Sequence, residues 1–313
     1  MKSIPGFLFA AILLIPFPAW GQTTQSTFDF HSGIWLNLHH TLYNQAIGIK
    51  SGRLPNLSSL PAPETNAWNQ ALEYYGRSLA NHDLLEPSMG RINQALALAG
   101  NAPTLQAPEL SKDLARILES AAPIYRARWW ADHDGKNREW ISSVSPLIAK
   151  YENALKPALS HAYDTPWPKV PIRVEMSYYV PGNSAYTAVD PTLITVSSSS
   201  QRNSGPSALE NIFHETSHAL VQKAFAEIAK DEKSLKKELK YRDLWHALIF
   251  YTAGELVKKQ VPELEPYAAK YGLWESSWPQ ILPVMEKDWK PFLEGKSAFK
   301  DAIKQLVVDA PSR

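Results

Sequence analysis

His214, Glu215 and His218 stand in the order His-Glu-x-x-His within the run Asn211 to Leu220. On a helix, side chains four positions apart lie on one face, one turn above the other. Both imidazoles can then direct a ring nitrogen at a single metal ion. The carboxylate of Glu215, at the edge of that face, reaches a water on the ion without having to bind the ion itself. The plainer alternative is an amphipathic helix carrying two partly buried histidines. Such a short pattern has to be judged by the elements around it.

Those elements suit the chemistry. Ser204-Gly205-Pro206-Ser207 offers turn and capping residues, and Ala208 to Ala229 contains no Gly or Pro, so a helix is expected there. Just before it, Val170 to Tyr179 alternates in the manner of a strand, and Pro181-Gly182-Asn183 reads as a turn. Tyr186 to Ser198 reads as one or two further strands. After it, Lys230 to Lys240 is a highly charged connection, most simply a solvated surface. Arg242 to Leu256 is a strongly apolar helix with few polar groups, and Pro262 to Val308 is helical, with Trp274, Trp278, Trp289 and Phe292 supplying packing.

The N-terminal half is helical in pattern: Asp29 to Ala46, Glu64 to Ala80, Glu86 to Ala99 and Leu110 to Ala122, with Pro123 able to start the next helix, then a long helix over 137–163. His39 and His40 are adjacent and cannot place both rings on one helix face, so they make no metal pair together. Their expected role is hydrogen bonding in the interior, the alternative being that one of them closes over the cleft. Asp132-His133-Asp134 beside Gly135 reads as a solvated turn or cap rather than a metal cluster. The expected fold is therefore mainly α with a small antiparallel β-sheet (α+β). It divides into a helical region at 22–165 and a region at 166–313 holding the sheet, the His214 helix and the helices that follow.

The 313 residues suffice for a substantial core, and 44% hydrophobic with 20% charged residues are globular values. A formal charge of +1 gives no reason to expect nucleic acid as a partner. Lys2, the apolar run Phe7 to Phe17 and Ala19-Trp20-Gly21 have the three parts of a secretory signal, placing cleavage after residue 21. Pro16 and Pro18 interrupt that run, and no stable membrane span is expected in the mature chain. Export without a single cysteine points to a bacterial periplasm or exterior.

A strand region, a helix with His214-Glu215-x-x-His218, and a second apolar helix bearing a lone acid together resemble the zincin metallopeptidases. The arrangement is most similar to the gluzincin type, whose third ligand is a Glu on a downstream helix. The resemblance covers roughly residues 170–260, and its one sharp motif is the pentapeptide. It implies zinc ligation by His214 and His218, with Glu215 as general base. The chain lacks the second histidine extension of metzincins, since Ala219, Leu220, Val221 and Gln222 follow His218. The third ligand must come from farther away. Glu255, after the small residues Ala253 and Gly254, is the first candidate, and His246 is its rival. On one continuous helix these two are about half a turn out of phase at ~3.6 residues per turn, so they should not share an ion. Glu232, Glu238 and His39 complete the field. With Glu255 as ligand, His246 would be free to donate a hydrogen bond to a developing oxyanion, a job for which Tyr178, Tyr179, Tyr186 and Tyr251 also qualify.

The expectation is thus a secreted or periplasmic zinc peptidase acting on a peptide or protein. A strand such as Leu193 to Ser198 would hold the extended substrate. The alternatives are a zinc amidase or esterase for a non-peptide substrate, and a helical binding or scaffold protein in which the motif is accidental or inactive.

Overall fold

The computed structural model describes residues 27–180 and 184–313. The segment read as a secretory signal and the Pro181-Gly182-Asn183 turn lie outside the described residues. Strand β1 (Phe28–His31) precedes helices α1 (Ile34–Lys50), α2 (Ala62–Ser78), α3 (Pro87–Ala99) and α4 (Lys112–Tyr125). A π-helical turn, Arg126–Trp130, runs from α4 into the long α5 (Ala131–Ala162). Strands β2 (Ile172–Ser177), β3 (Ala185–Val189) and β4 (Thr192–Ser197) follow. Then come α6 (Pro206–Leu220), α7 (Gln222–Leu235) and α8 (Leu244–Gln260). Four short helices, α9 (Tyr267–Lys270), α10 (Leu273–Ser276), α11 (Ile281–Val284) and α12 (Lys290–Leu293), lead to α13 (Phe299–Asp309). A second π turn, Met285–Trp289, joins α11 to α12.

The fold is α+β as expected, but its sheet is mixed, in the order β1-β2-β4-β3. β1 and β4 both run parallel to β2, and only β3 is antiparallel, to β4. β1 joins β2 from the N-terminal half, where Asp29 to His31 was expected to open a helix, and β4 returns beside β2 because β3, which lies between them in sequence, takes the place outside β4. Phe28 and Phe30 alternate with polar Asp29 and His31, and the partner strand is remote in sequence, so the local pattern does not announce the pairing. The chain turns from β1 into α1 through Ser32 and Gly33. A Cβ on Gly33 would lie 3.1 Å from Cα of Gly100, so this crossing needs glycine for closeness.

Successive strand residues face opposite ways, and the sheet uses this to separate two cores. Ile172, Val174 and Met176 with Ile194 and Val196 join α5, α6, α8 and the C-terminal helices in one core. Tyr186 and Leu193 join α1 to α4 in the other. Residues 22–165 and 166–313 therefore meet across a shared sheet, with β1 and α5 from the first contributing to the core of the second.

Helix α5 runs straight through Asp132 to Gly135, which corrects the expected turn. Tertiary contacts hold it there. His133 stacks on Tyr178 with ring centroids 4.0 Å apart and lies 2.7 Å from the Tyr125 hydroxyl. Asn137, one turn on, donates to Ser32 Oγ and to Asn37 Oδ1. Pro123 falls inside α4 rather than opening a new helix. Among the described residues no helix is long and apolar enough to cross a membrane.

Candidate metal centre and cleft

Helix α6 opens at Gly205, which has φ 54°, and Pro206 follows in the first turn, where a missing N–H costs nothing. The helix then runs through the interior, with every residue from Ser207 to Ser217 buried. Its hydroxyls are satisfied within the helix: Thr216 donates to Ile212 O at 2.8 Å and Ser217 to Phe213 O at 2.7 Å. Helix α8 packs directly against it. Gly254 of α8 leaves no room for a side chain, since a Cβ there would sit 2.8 Å from Cβ of Pro266, just before α9, and 3.2 Å from Oε1 of Glu210 on α6.

This packing brings a third imidazole to the pair on α6. One ring nitrogen from each of His214, His218 and His246 lies within 4.8 Å of the other two. The ring centroids form a nearly equilateral triangle: 5.2 Å for His214–His218, 5.4 Å for His214–His246 and 5.1 Å for His218–His246. His214 Nδ1 is buried with no hydrogen-bond partner among the described residues. Burial, reinforced by the neighbouring His218 and His246, holds His214 well below the ordinary histidine range. Burial and then His246 bring His218 to about 3, and burial also lowers His246. Three neutral imidazoles with available lone pairs are a donor set that fits a metal ion.

Glu255 is not part of this set. Its carboxylate lies 3.8 Å from Lys290 Nζ, on the wall of a separate surface cavity with Lys258, Lys259 and Glu294. The helix phase is the reason. α8 is continuous from Leu244 to Gln260, so a helix that turns His246 toward α6 turns Glu255 away. Of the two candidates for a third ligand, the structure therefore groups His246, not Glu255, with His214 and His218. Glu232 and Glu238 line another groove, and His39 is buried against Tyr75.

The triad opens into a cleft of about 850 Å³ that Glu215 also lines. Thr187 of β3 donates its hydroxyl to Glu215 Oε2 at 2.6 Å, and the same oxygen lies 3.0 Å from the Glu215 carbonyl. Burial pushes Glu215 up to about 7, a shift that the Thr187 bond partly opposes. One turn before His214, Glu210 accepts the Tyr267 backbone N–H at 2.9 Å on each oxygen. Burial raises it to about 7, against the pull of that bond and of Lys270. Phe250 packs on His214 at 4.0 Å and on Tyr267 at 5.7 Å, forming an aromatic wall. At its far end Arg202 donates to the Tyr267 hydroxyl at 3.2 Å and lies 4.6 Å over the Tyr271 ring. No carboxylate pairs with Arg202 among the described residues.

Of the tyrosines considered as donors, Tyr186 has its hydroxyl 3.1 Å from His40 Nε2, on the face of the sheet away from Glu215. Tyr178 and Tyr179 pack around His133. Tyr251 is buried outside the cleft lining. His39 and His40 take the interior hydrogen bonds expected of them, to Tyr75 OH at 2.8 Å and to Ser177 Oγ at 2.9 Å. Sequence reasoning missed Thr187, Glu210, Arg202, Phe250 and Tyr267. Glu210 alone carried a local signal, lying four residues before His214 on the same helix.

The chain matches no protein family, no curated protein and no solved structure in the comparisons made with each.

Proposed function

We propose that the protein is a zinc-dependent hydrolase acting on peptide bonds, with His214, His218 and His246 holding the ion and Glu215 as general base. The observation that carries this reading is the presence of Glu215 in the same cleft as three imidazoles that burial keeps neutral. Three nitrogen donors leave a fourth position for water, which suits zinc, and no cysteine competes for the ion. The ion would supply Lewis acidity to that water and to the scissile carbonyl.

The chain's own groups supply the rest. Glu215, pushed up to about 7 by burial, takes a proton from the attacking water and passes it to the departing amine nitrogen. Thr187 fixes the carboxylate for that transfer and leaves its second oxygen to the reaction. Interior β4 is paired on both sides, by β2 and β3, so it cannot receive a substrate strand as expected for Leu193 to Ser198. Edge strand β3 can: it pairs only with β4, and Ala185, Thr187 and Val189 line the cleft. An extended peptide would add to it through main-chain hydrogen bonds. The N-terminal signal pattern and the absence of cysteine support action in a bacterial periplasm or exterior.

The test is Glu215→Gln beside the unaltered chain, read by bound zinc and by cleavage of a mixed fluorogenic peptide library. The expected result is one zinc retained per chain and cleavage lost by about 100-fold or more. Full cleavage by the variant rejects Glu215 as base. A native chain that takes up no zinc on reconstitution rejects the whole reading in favour of a binding or scaffold protein. Zinc uptake with no peptide cleavage would move the substrate to another amide or an ester.

A further inference from the structure

Beyond the cleft, a second groove of about 730 Å³ lies between α7, its charged continuation and the start of α8. Five cationic side chains line it, Lys233, Lys236, Lys237, Arg242 and Arg313, against two acidic ones, Glu232 and Glu238. The chain as a whole is nearly balanced at 32 basic and 31 acidic residues, so this excess is local. Glu232 is already engaged, accepting the Leu239 N–H at 3.1 Å, and Lys237 donates to Val308 O at 2.5 Å. Lys233, Lys236, Arg242 and Arg313 have no carboxylate within 4.0 Å among the described residues. Unpaired cations gathered in a concave surface focus a positive potential into it.

The groove adjoins the candidate catalytic cleft at one side chain. Trp245 lines both. Its ring lies 5.8 Å from that of His218 on one side and 6.2 Å from that of Phe225 on the other. Phe225 is 46% exposed and gives the groove an apolar contact beside its charges. Trp245 is thus a wall common to the cleft and the basic groove.

We infer that the groove lined by Lys233, Lys236 and Arg242 is a docking site for an acidic peptide segment that continues, past Trp245, from the peptide held in the catalytic cleft. The choice of peptide over other polyanions rests on the proposed hydrolase reading and on the shared Trp245 wall. Binding in the groove itself does not depend on hydrolysis. Recognition there is by charge, so it sets which proteins are presented to the cleft and weakens with ionic strength.

The experiment measures binding of a fluorescein-labelled octaglutamate peptide to the full chain by anisotropy, at low and at physiological salt. A Gly-Ser peptide of equal length and a heparin octasaccharide serve as comparisons. The expected result is binding of octaglutamate, none of the Gly-Ser peptide, and weakening by added salt. The triple variant Lys233→Glu, Lys236→Glu, Arg242→Glu should lose at least tenfold in affinity. Its neutral counterpart, with Gln at all three positions, should lose at least threefold and guards against a misfolded charge reversal. His214→Ala with His218→Ala should bind octaglutamate as the native chain does, so failure of the hydrolase reading would leave the groove standing. Absent octaglutamate binding, or binding unchanged in both triple variants, overturns the inference. Heparin binding more tightly than octaglutamate overturns the assignment to peptide.

Discussion

The hydroxyl of Thr187 donates to the carboxylate of Glu215 across 2.6 Å, tying edge strand β3 to the helix that carries two of the three clustered histidines. The edge strand proposed to align a substrate and the base proposed to activate water are thereby held in one register. Hydrogen bonds to charged groups contribute roughly 1.5–3 kcal/mol. Thr187→Val, which keeps the shape and loses the donor, should lower turnover by about tenfold or more. Zinc content should be unchanged. Steady-state kinetics on a fluorogenic peptide would show it, and unaltered turnover would remove Thr187 from the site.

The exchange of Glu255 for His246 predicts opposite outcomes for two substitutions on one helix. His246→Ala should lose bound zinc, because it deletes one of three nitrogens in the cluster. Glu255→Ala should retain it, since that carboxylate faces Lys290 instead. Elemental analysis of the two purified variants after dialysis decides between them. Retention in His246→Ala together with loss in Glu255→Ala would reverse the assignment.

The seat of α8 against Pro266 and against Glu210 of α6 requires glycine at position 254. Alanine there gains helix propensity worth about 1 kcal/mol. Its Cβ, however, would lie 2.8 Å from Pro266, and overpacking typically costs about 1–3 kcal/mol. Gly254→Ala should therefore be destabilised on balance, and its zinc affinity should fall because His246 moves with α8. Urea unfolding and a competitive zinc titration measure the two effects. A variant as stable as the native chain would show that the helices separate without strain.

Acid should destabilise the fold through His40. Burial brings this side chain to about 3, and the neighbouring polar groups of Asn93 and the Tyr179 backbone only partly oppose the shift. The unfolded chain takes up its proton near 6.5, so between about 6.5 and 3 the unfolded state binds more protons than the folded one. The contribution is full above about 6.5 and declines as pH falls through that window. His40→Asn should reduce the pH slope of unfolding free energy by up to about 1.4 kcal/mol per pH unit. Urea midpoints from pH 7.5 to 5, taken with chelator present to silence the metal centre, give that slope. Identical slopes would show that His40 is protonated in both states alike.

Much of the architecture is legible in local pattern. The apolar composition of α8, the alternation of β2 and the stretch of α6 from Ala208 without Gly or Pro each follow from residues close in sequence. Strand β1 is not legible in this way, because Phe28 to His31 becomes a strand only through hydrogen bonds to distant β2. Nor is the helix through Asp132 to Gly135, where contacts from His133 and Asn137 outweigh a turn-forming composition.

The same division runs through the site. Spacing alone puts His214 and His218 on one face with Glu215 at its edge, because four residues of helix make about one turn. It also shows that His246 and Glu255 cannot both face the same ion. Which of them faces α6 depends on how the two helices pack, and that packing sets His246 beside His214 and His218. Thr187, Arg202 and Trp245 enter for the same reason: each meets the site through packing between elements, which no periodicity within one element encodes.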